Sequence, residues 1–185
     1  MRHPHYIKHN RGSGTPQHCI FFDTETTGKV IDDTTIEATL NFGQACYVRR
    51  IKRGQWSAPK WQRFESADAF WDFVHQWVRP KRRLYIFAHN LAFDLTQVHG
   101  FSILQSQGWE CTSRIIAPKV LNLTYRKDGA SIRLVDTYNY YPMALKALGD
   151  MVGMEKYDFP EEDESPELWD TYCRRDVEIR LGGSK

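Results

Sequence analysis

The chain has 185 residues, a size that fits one domain, and 41% of them are hydrophobic, with six Trp, nine Tyr and ten Phe, so a core needs no help from disulfides. Its 25 basic and 23 acidic residues leave a formal net charge of +2, which excludes a global basic signal for nucleic acid and leaves such binding to local arrangement. Cys19, Cys46, Cys111 and Cys173 form no C-x-x-C pair or zinc spacing and are expected to be free thiols in a reducing, intracellular (cytoplasmic) setting; no apolar run is long enough to span a bilayer, so no membrane partner is expected.

Residues 1–17 are basic and polar without an apolar stretch, which predicts a flexible tail, or a phosphate-binding arm, rather than a secretory signal. One domain is expected over 18–181, with a short tail over 182–185. His18 to Asp23 reads as a buried strand, and Ile36 to Val48 alternates with strand periodicity. Lys52-Arg53-Gly54 is a turn before a further strand near Trp61 to Phe64. Ser66 caps a helix whose Phe70, Phe73, Val74 and Trp77 recur at helical spacing until Pro80. Leu84 to Phe87 is a short strand, followed by a helix over 93–107. Strands follow at 111–116, 121–125 and 132–135, with Asp128-Gly129 as a hairpin turn between the last two. A helix over 142–151, an acidic loop over 155–164 and a final helix opened by Ser165-Pro166 complete the chain. The pattern is one α/β domain with a mixed sheet.

Three short motifs carry chemistry. Asp23-Thr24-Glu25 follows the apolar run Cys19 to Phe22, and acids at i and i+2 of a strand point the same way, so one metal ion can touch both. The alternative is a strand end meeting solvent. Asp94, in His89-Asn90-Leu91-Ala92-Phe93-Asp94, falls in the first turn of a helix after a buried strand; alone it reads equally as an acid favoured by the helix dipole. Tyr172 and Asp176 share one face of the last helix at i and i+4; alone they read as a half-buried phenol and a salt-bridge partner. Asp23 and Asp94 are 71 residues apart, and Asp94 and Asp176 are 82.

The ordered set resembles the three motifs of the DEDD exonucleases, a family with a ribonuclease H-like fold: a mixed β-sheet flanked by helices. One branch of that family places a His five residues before the last acid, where this chain has Thr171; the other places a Tyr four residues before it, where this chain has Tyr172. Phe22-Asp23-Thr24-Glu25-Thr26-Thr27-Gly28 looks like the first motif of the His branch, but the third motif decides for the Tyr branch. Within it, residues 21–179 are similar to the exonuclease domain of protein-primed family B DNA polymerases. His89 to Asp94 resembles that group's second motif, and Val135 to Pro142, leading into Leu145 and Leu148, its Ser/Thr-Leu motif, with Tyr138 where the group has Leu. Lys156-Tyr157-Asp158-Phe159 resembles its Lys-x-x-hydrophobic motif.

The resemblance implies 3′→5′ hydrolysis of single-stranded DNA ends, with Thr26, Asn90, Phe93, Thr137 and Tyr138 as contacts to the strand and Lys156 beside the scissile phosphate. Four converging carboxylates require counter-charge, so two Mg²⁺ or Mn²⁺ ions about 3.5–4 Å apart are expected. Asp23, Glu25 and Asp176 are assigned to the ion that carries the attacking water, Asp23 bridges to the second, and Asp94 supports the second through water. Tyr172 orients the nucleophile, since a phenol with pKa near 10 is a poor base at neutral pH. The alternatives are an exoribonuclease of the same fold and a weakly catalytic single-strand-binding module. No polymerase domain follows the last helix, so the sequence reads either as a free-standing enzyme or as a proofreading piece that works with a downstream polymerase domain or partner.

Overall fold

The computed structural model describes residues 14–182 except 33, 34, 53, 118, 119, 162 and 163. Most of the two expected tails (1–13 and 183–185) therefore lies outside the described residues, as do two residues of the acidic run. In chain order the elements are β1 (His18–Asp32), β2 (Thr35–Lys52), β3 (Gln55–Trp56), β4 (Lys60–Phe64), α1 (Ala67–His75), β5 (Arg83–Ala88), α2 (Leu91–Gln97), α3 (Gly100–Ser106), β6 (Glu110–Ala117), β7 (Val120–Lys127), β8 (Ala130–Asp136), a 3₁₀ turn (Thr137–Asn139), α4 (Leu145–Val152) and α5 (Pro166–Gly182). The strands form one mixed sheet in the order β3-β2-β1-β5-β8-β7-β6, with β4 also on β2. Strands β1, β5 and β8 are parallel neighbours; the other pairs are antiparallel. The expected α/β class with a mixed sheet between helices holds.

The two faces of the sheet differ. Helix α1, capped by the Ser66 hydroxyl accepting from the Ala69 amide at 3.2 Å, buries Phe70, Trp71, Phe73 and Val74. These meet Ile20, Phe22, Ile86, Leu91 and Leu95 in the larger core, which α2 and α3 also cover. The opposite face carries Cys19, Phe21, Cys46, Val48, Tyr85 and Val135, packed on Val177 of α5. Leu145 and Leu148 of α4 clasp Ile179 of α5, which brings the loop after α4 alongside that helix.

Three expected boundaries move. Strand β1 does not stop at Asp23 but runs on through Glu25 to Asp32 as an arm paired with β2, with a register shift between Glu25 and Thr26. The helix expected over 93–107 is two, because His99 takes a left-handed conformation (φ 49°) that interrupts the helical ladder. The helix expected from Pro142 begins at Leu145. The Asp128-Gly129 turn is as expected: both residues have positive φ, 48° and 75°, as a two-residue hairpin loop requires.

Candidate active site

Parallel pairing of β1 with β5 ends at Phe21–Phe87, and the acids begin two residues later. Such a carboxyl end of parallel strands is where open α/β sheets place their ligands. Asp23 is buried and Glu25 partly so, on the face that α5 covers. Opposite them, Gly43 pairs with Thr24; a Cβ there would stand 2.6 Å from the Asp23 carbonyl oxygen and 2.2 Å from the Phe64 ring. Only a glycine lets β2 and β4 close on the strand that holds the acids.

Asp94 comes from the other layer. It is only 3% exposed, so it is no ordinary helix-start acid at the surface. Its Oδ1 accepts two bonds from the residue between the first two acids: the Thr24 amide at 3.0 Å and the Thr24 hydroxyl at 2.8 Å. Asp176 and Tyr172 arrive on α5, both buried. Lys156 completes this side, donating to the Tyr172 hydroxyl at 2.9 Å and forming an ion pair with Asp176 Oδ2. Tyr172 is wedged edge-on among Phe159 and Trp169, which fixes its ring. The three motifs, and the lysine implied by resemblance, thus meet at one end of the sheet.

Electrostatically the cluster is short of positive charge. Burial, then Asp23 and Asp176, push the Glu25 carboxyl up to about 8, against the pull of Lys156 and Arg180. Burial and then Asp23 raise both Asp94 and Asp176, the first well above the ordinary range. Burial works against the Lys156 charge, but its bonds to Asp176 and Tyr172 outweigh that and raise it. Burial also raises the Tyr172 phenol, which keeps it protonated at neutral pH.

The donor set fits a hard divalent cation. Ligand atoms of Asp23, Glu25 and Cys173 lie within 4.8 Å of one another, and Asp176 Oδ1 is buried with no hydrogen-bond partner among the described residues. Cys173 adds a neutral thiol rather than a thiolate, because burial lifts it well above its usual value, so the oxygens dominate the site. Asp94 and Asp176 stand outside that tight group.

Substrate contacts are divided. Asn90 (φ 65°) and Phe93 are exposed beside Asp94, and Tyr138 and Thr26 are half-buried. Thr137 is different: it is buried, and its hydroxyl donates to the Ala88 carbonyl at 3.0 Å and lies 3.1 Å from His89 Nδ1. Its hydroxyl is spent on joining β8 to the end of β5 and is not presented to a strand.

Two functional candidates went unnoticed in the sequence. Asp136, at the end of β8, is buried and accepts from the amides of Asn90, Leu91 and Tyr138 at 3.1, 3.0 and 2.9 Å, so it holds the start of α2 and hence Asp94. Arg180 is 4% exposed, donates to the Phe22 carbonyl at 2.6 Å and is ion-paired to Asp23 Oδ1. Its spacing, four residues past Asp176 and eight past Tyr172 on one helical face, was the available signal.

No protein-family model matches the chain, and no curated protein matches it either. Among solved structures the fold is similar to part of phi29 DNA polymerase. With that polymerase complexed with primer-template DNA and incoming nucleotide substrates, the TM-score is 0.57 at 16% identity, over 91% of this chain and 30% of the other. With its complex with single-stranded DNA, the TM-score is 0.55 at 16% identity and the same coverage. The chain thus spans about a third of that polymerase's length, and the likeness is one of fold. Among the described residues no helix is long and apolar enough to cross a membrane.

Proposed function

We propose that this chain is a divalent-metal-dependent 3′→5′ exonuclease of the DEDD type, Tyr branch, acting on single-stranded DNA ends. The observation that carries the reading is the meeting of three separated motifs: Asp94 bonded across to Thr24, between Asp23 and Glu25, with Tyr172 and Asp176 on the same cluster from α5. Likeness of fold to a polymerase that binds single-stranded DNA agrees with it. Such a domain serves proofreading when it works beside a polymerase, and that role is part of the proposal.

Asp23, Glu25 and Asp176 would hold the metal, Mg²⁺ or Mn²⁺, which when bound lowers the pKa of water and screens phosphate charge. The chain's own groups do the rest. Tyr172, a protonated phenol fixed by Phe159 and Trp169, donates a hydrogen bond that orients the attacking oxygen. Lys156, within reach of both Tyr172 and Asp176, meets charge building on the phosphate. Exposed Phe93 offers a face for the terminal base, with Asn90 beside it.

A single-strand-binding module is the rival reading, and one observation favours it: Lys156 and Arg180 already engage oxygens of Asp176 and Asp23. A 5′-labelled single strand incubated with Mg²⁺ or Mn²⁺ separates the two. A ladder shortening from the 3′ end, abolished by chelator and by Glu25→Gln, is expected, with DNA cut faster than RNA of the same sequence. Shortening of RNA alone would make the chain an exoribonuclease. No shortening of either strand by the folded protein would overturn the enzyme and leave the binding module.

A further inference from the structure

The end of the sheet opposite the carboxylates is basic. Arg79-Pro80-Lys81-Arg82-Arg83 sets four cations in five residues between α1 and β5, and Arg49 of β2 and Lys60 of β4 lie across from them. Arg49, Lys60, Arg79 and Arg82 are all exposed and line one open cavity of about 370 Å³, with no carboxylate among the described residues that line it. None of the four forms an ion pair among the described residues. Their charges converge on the cavity floor. Burial, then Arg82 and Arg49, hold His18 below its ordinary value; burial raises Tyr47, and Arg82, Arg49 and Arg79 pull it back.

The floor and the rim are both fixed. Tyr47 stacks on Trp77, ring centroids 3.6 Å apart and 7° from parallel, and the Tyr47 hydroxyl lies 2.7 Å from His18 Nδ1. At the rim, Lys81 takes a left-handed backbone (φ 61°) and its amide donates to the Gly129 carbonyl at 2.8 Å, while the Ser131 amide donates to the Arg82 carbonyl at 3.1 Å. The β7–β8 hairpin thus pins the cationic turn. Like charges held together without counter-ions repel one another, and a line of phosphates relieves that. A small anion meets one or two such cations; four around an open cavity match a chain of regularly spaced negative charges. His18, at the cavity, and Asp23 are five residues apart on β1, about 17 Å at about 3.3 Å per residue. One strand can therefore reach both.

We propose that this basic cavity is a second nucleic-acid site, at which Arg49, Lys60, Arg79 and Arg82 hold the phosphodiester backbone of a single strand upstream of the 3′ end that the carboxylates receive. The choice of ligand rests on the exonuclease reading, while the cavity lies apart from the residues that carry it. The anchor adds affinity that grows with strand length and falls with salt, and it takes no part in the chemistry.

The test is fluorescence anisotropy of labelled DNA in chelator, across a salt series, for three proteins. These are wild type, the triple variant Arg49→Gln/Arg79→Gln/Arg82→Gln, and a control that removes three exposed cations elsewhere, Arg114→Gln/Lys146→Gln/Arg174→Gln. With a single strand of about 16 nucleotides, the triple variant should bind on the order of tenfold more weakly, and its slope of log affinity against log salt should be shallower by about 2, roughly 0.7 per phosphate contact. The control should lose clearly less. Arg82→Gln alone should give about a third of the slope change. In Mg²⁺, KM for the long strand should rise in the triple variant while kcat holds, and a trinucleotide, too short to span both sites, should be cleaved alike by both. An equal loss in the control would reduce the effect to overall charge and overturn the proposal. Unchanged long-strand affinity in the triple variant would also overturn it, and so would a loss confined to a blunt duplex of the same length, which would put a different strand in the cavity. A protein that never shortens a strand yet loses affinity as expected fails as an exonuclease and keeps this site.

Discussion

The two faces of the sheet solve opposite problems. Under α1 to α3, Ile20, Phe22, Ile86, Phe70 and Trp71 are sealed from water and carry almost no charge. Under α5, β1 places Asp23 against Cys173, Asp176 and Arg180 of that helix, all buried, beside a smaller apolar cluster. The first face gains free energy from each buried methylene; the second spends it on holding carboxylates that burial alone would protonate. The contrast teaches that stability and chemistry are largely divided across one strand, with Asp94 the one acid that the apolar layer contributes.

The contrast is broken most strongly by a change that separates activity from stability. Glu25→Gln removes a carboxylate of the proposed metal site. Exonuclease rate should fall on the order of 10³-fold, several kcal/mol of barrier, while the urea midpoint in chelator stays or rises. Phe70→Ala should do the reverse: the ring is fully buried, so the loss is about 3–5 kcal/mol in urea unfolding, with metal affinity unchanged below the transition. Tyr172→Phe keeps the ring in its aromatic wedge and removes only the hydroxyl. Single-turnover cleavage should slow about ten- to a hundred-fold, with KM for the strand little altered.

The smallest effect is a pH slope. Glu25 is held at about 8 when folded, against an ordinary 4.5, so between those values the folded metal-free chain keeps a proton that the unfolded chain has lost. Stability in chelator therefore falls as pH rises towards 8. His18, His75 and His89, all lowered by burial, push the other way mainly near and below their ordinary 6.5, and the thiols of Cys19, Cys46 and Cys173, raised from 9.0 by burial, add to the fall only as pH approaches 9, so urea midpoints at pH 7 and 8 report mostly the carboxylate effect. Saturating Mg²⁺ or Glu25→Gln should flatten the slope; a slope unchanged by either would place the proton elsewhere.

Much of this was legible in the sequence, because one-dimensional periodicity reports what faces oil. The α1 stripe and the Asp128-Gly129 turn read directly, whereas the alternation expected over Ile36 to Val48 gives way to unbroken burial over 42–48, where β2 is covered on both faces. The acids were legible as spaced motifs, and Lys156 through resemblance. Arg180 escaped because the buried stripe of α5 contains Tyr, Cys, Asp and Arg, which apolar periodicity scores as surface. Asp136 escaped because its work is to accept three backbone amides, which depends on where β5 ends in space. Thr137 looked available for a substrate strand, but the parallel pairing of β8 with β5 sets it against the Ala88 carbonyl and buries it. The break at His99 is likewise a backbone choice made by packing.

The most direct test asks whether the carboxylate cluster acts on the scissile phosphate through a cation. Each isomer of a single strand with one sulfur in its 3′-terminal phosphodiester would be cleaved in Mg²⁺ and in Mn²⁺, and the rates compared with the all-oxygen strand. For one isomer, cleavage should stall in Mg²⁺, which binds sulfur poorly, recover in Mn²⁺, and be absent with Glu25→Gln under both ions. Equal rates for all strands in both ions, or cleavage indifferent to Glu25→Gln, would contradict a metal-bearing exonuclease site at Asp23, Glu25, Asp94 and Asp176.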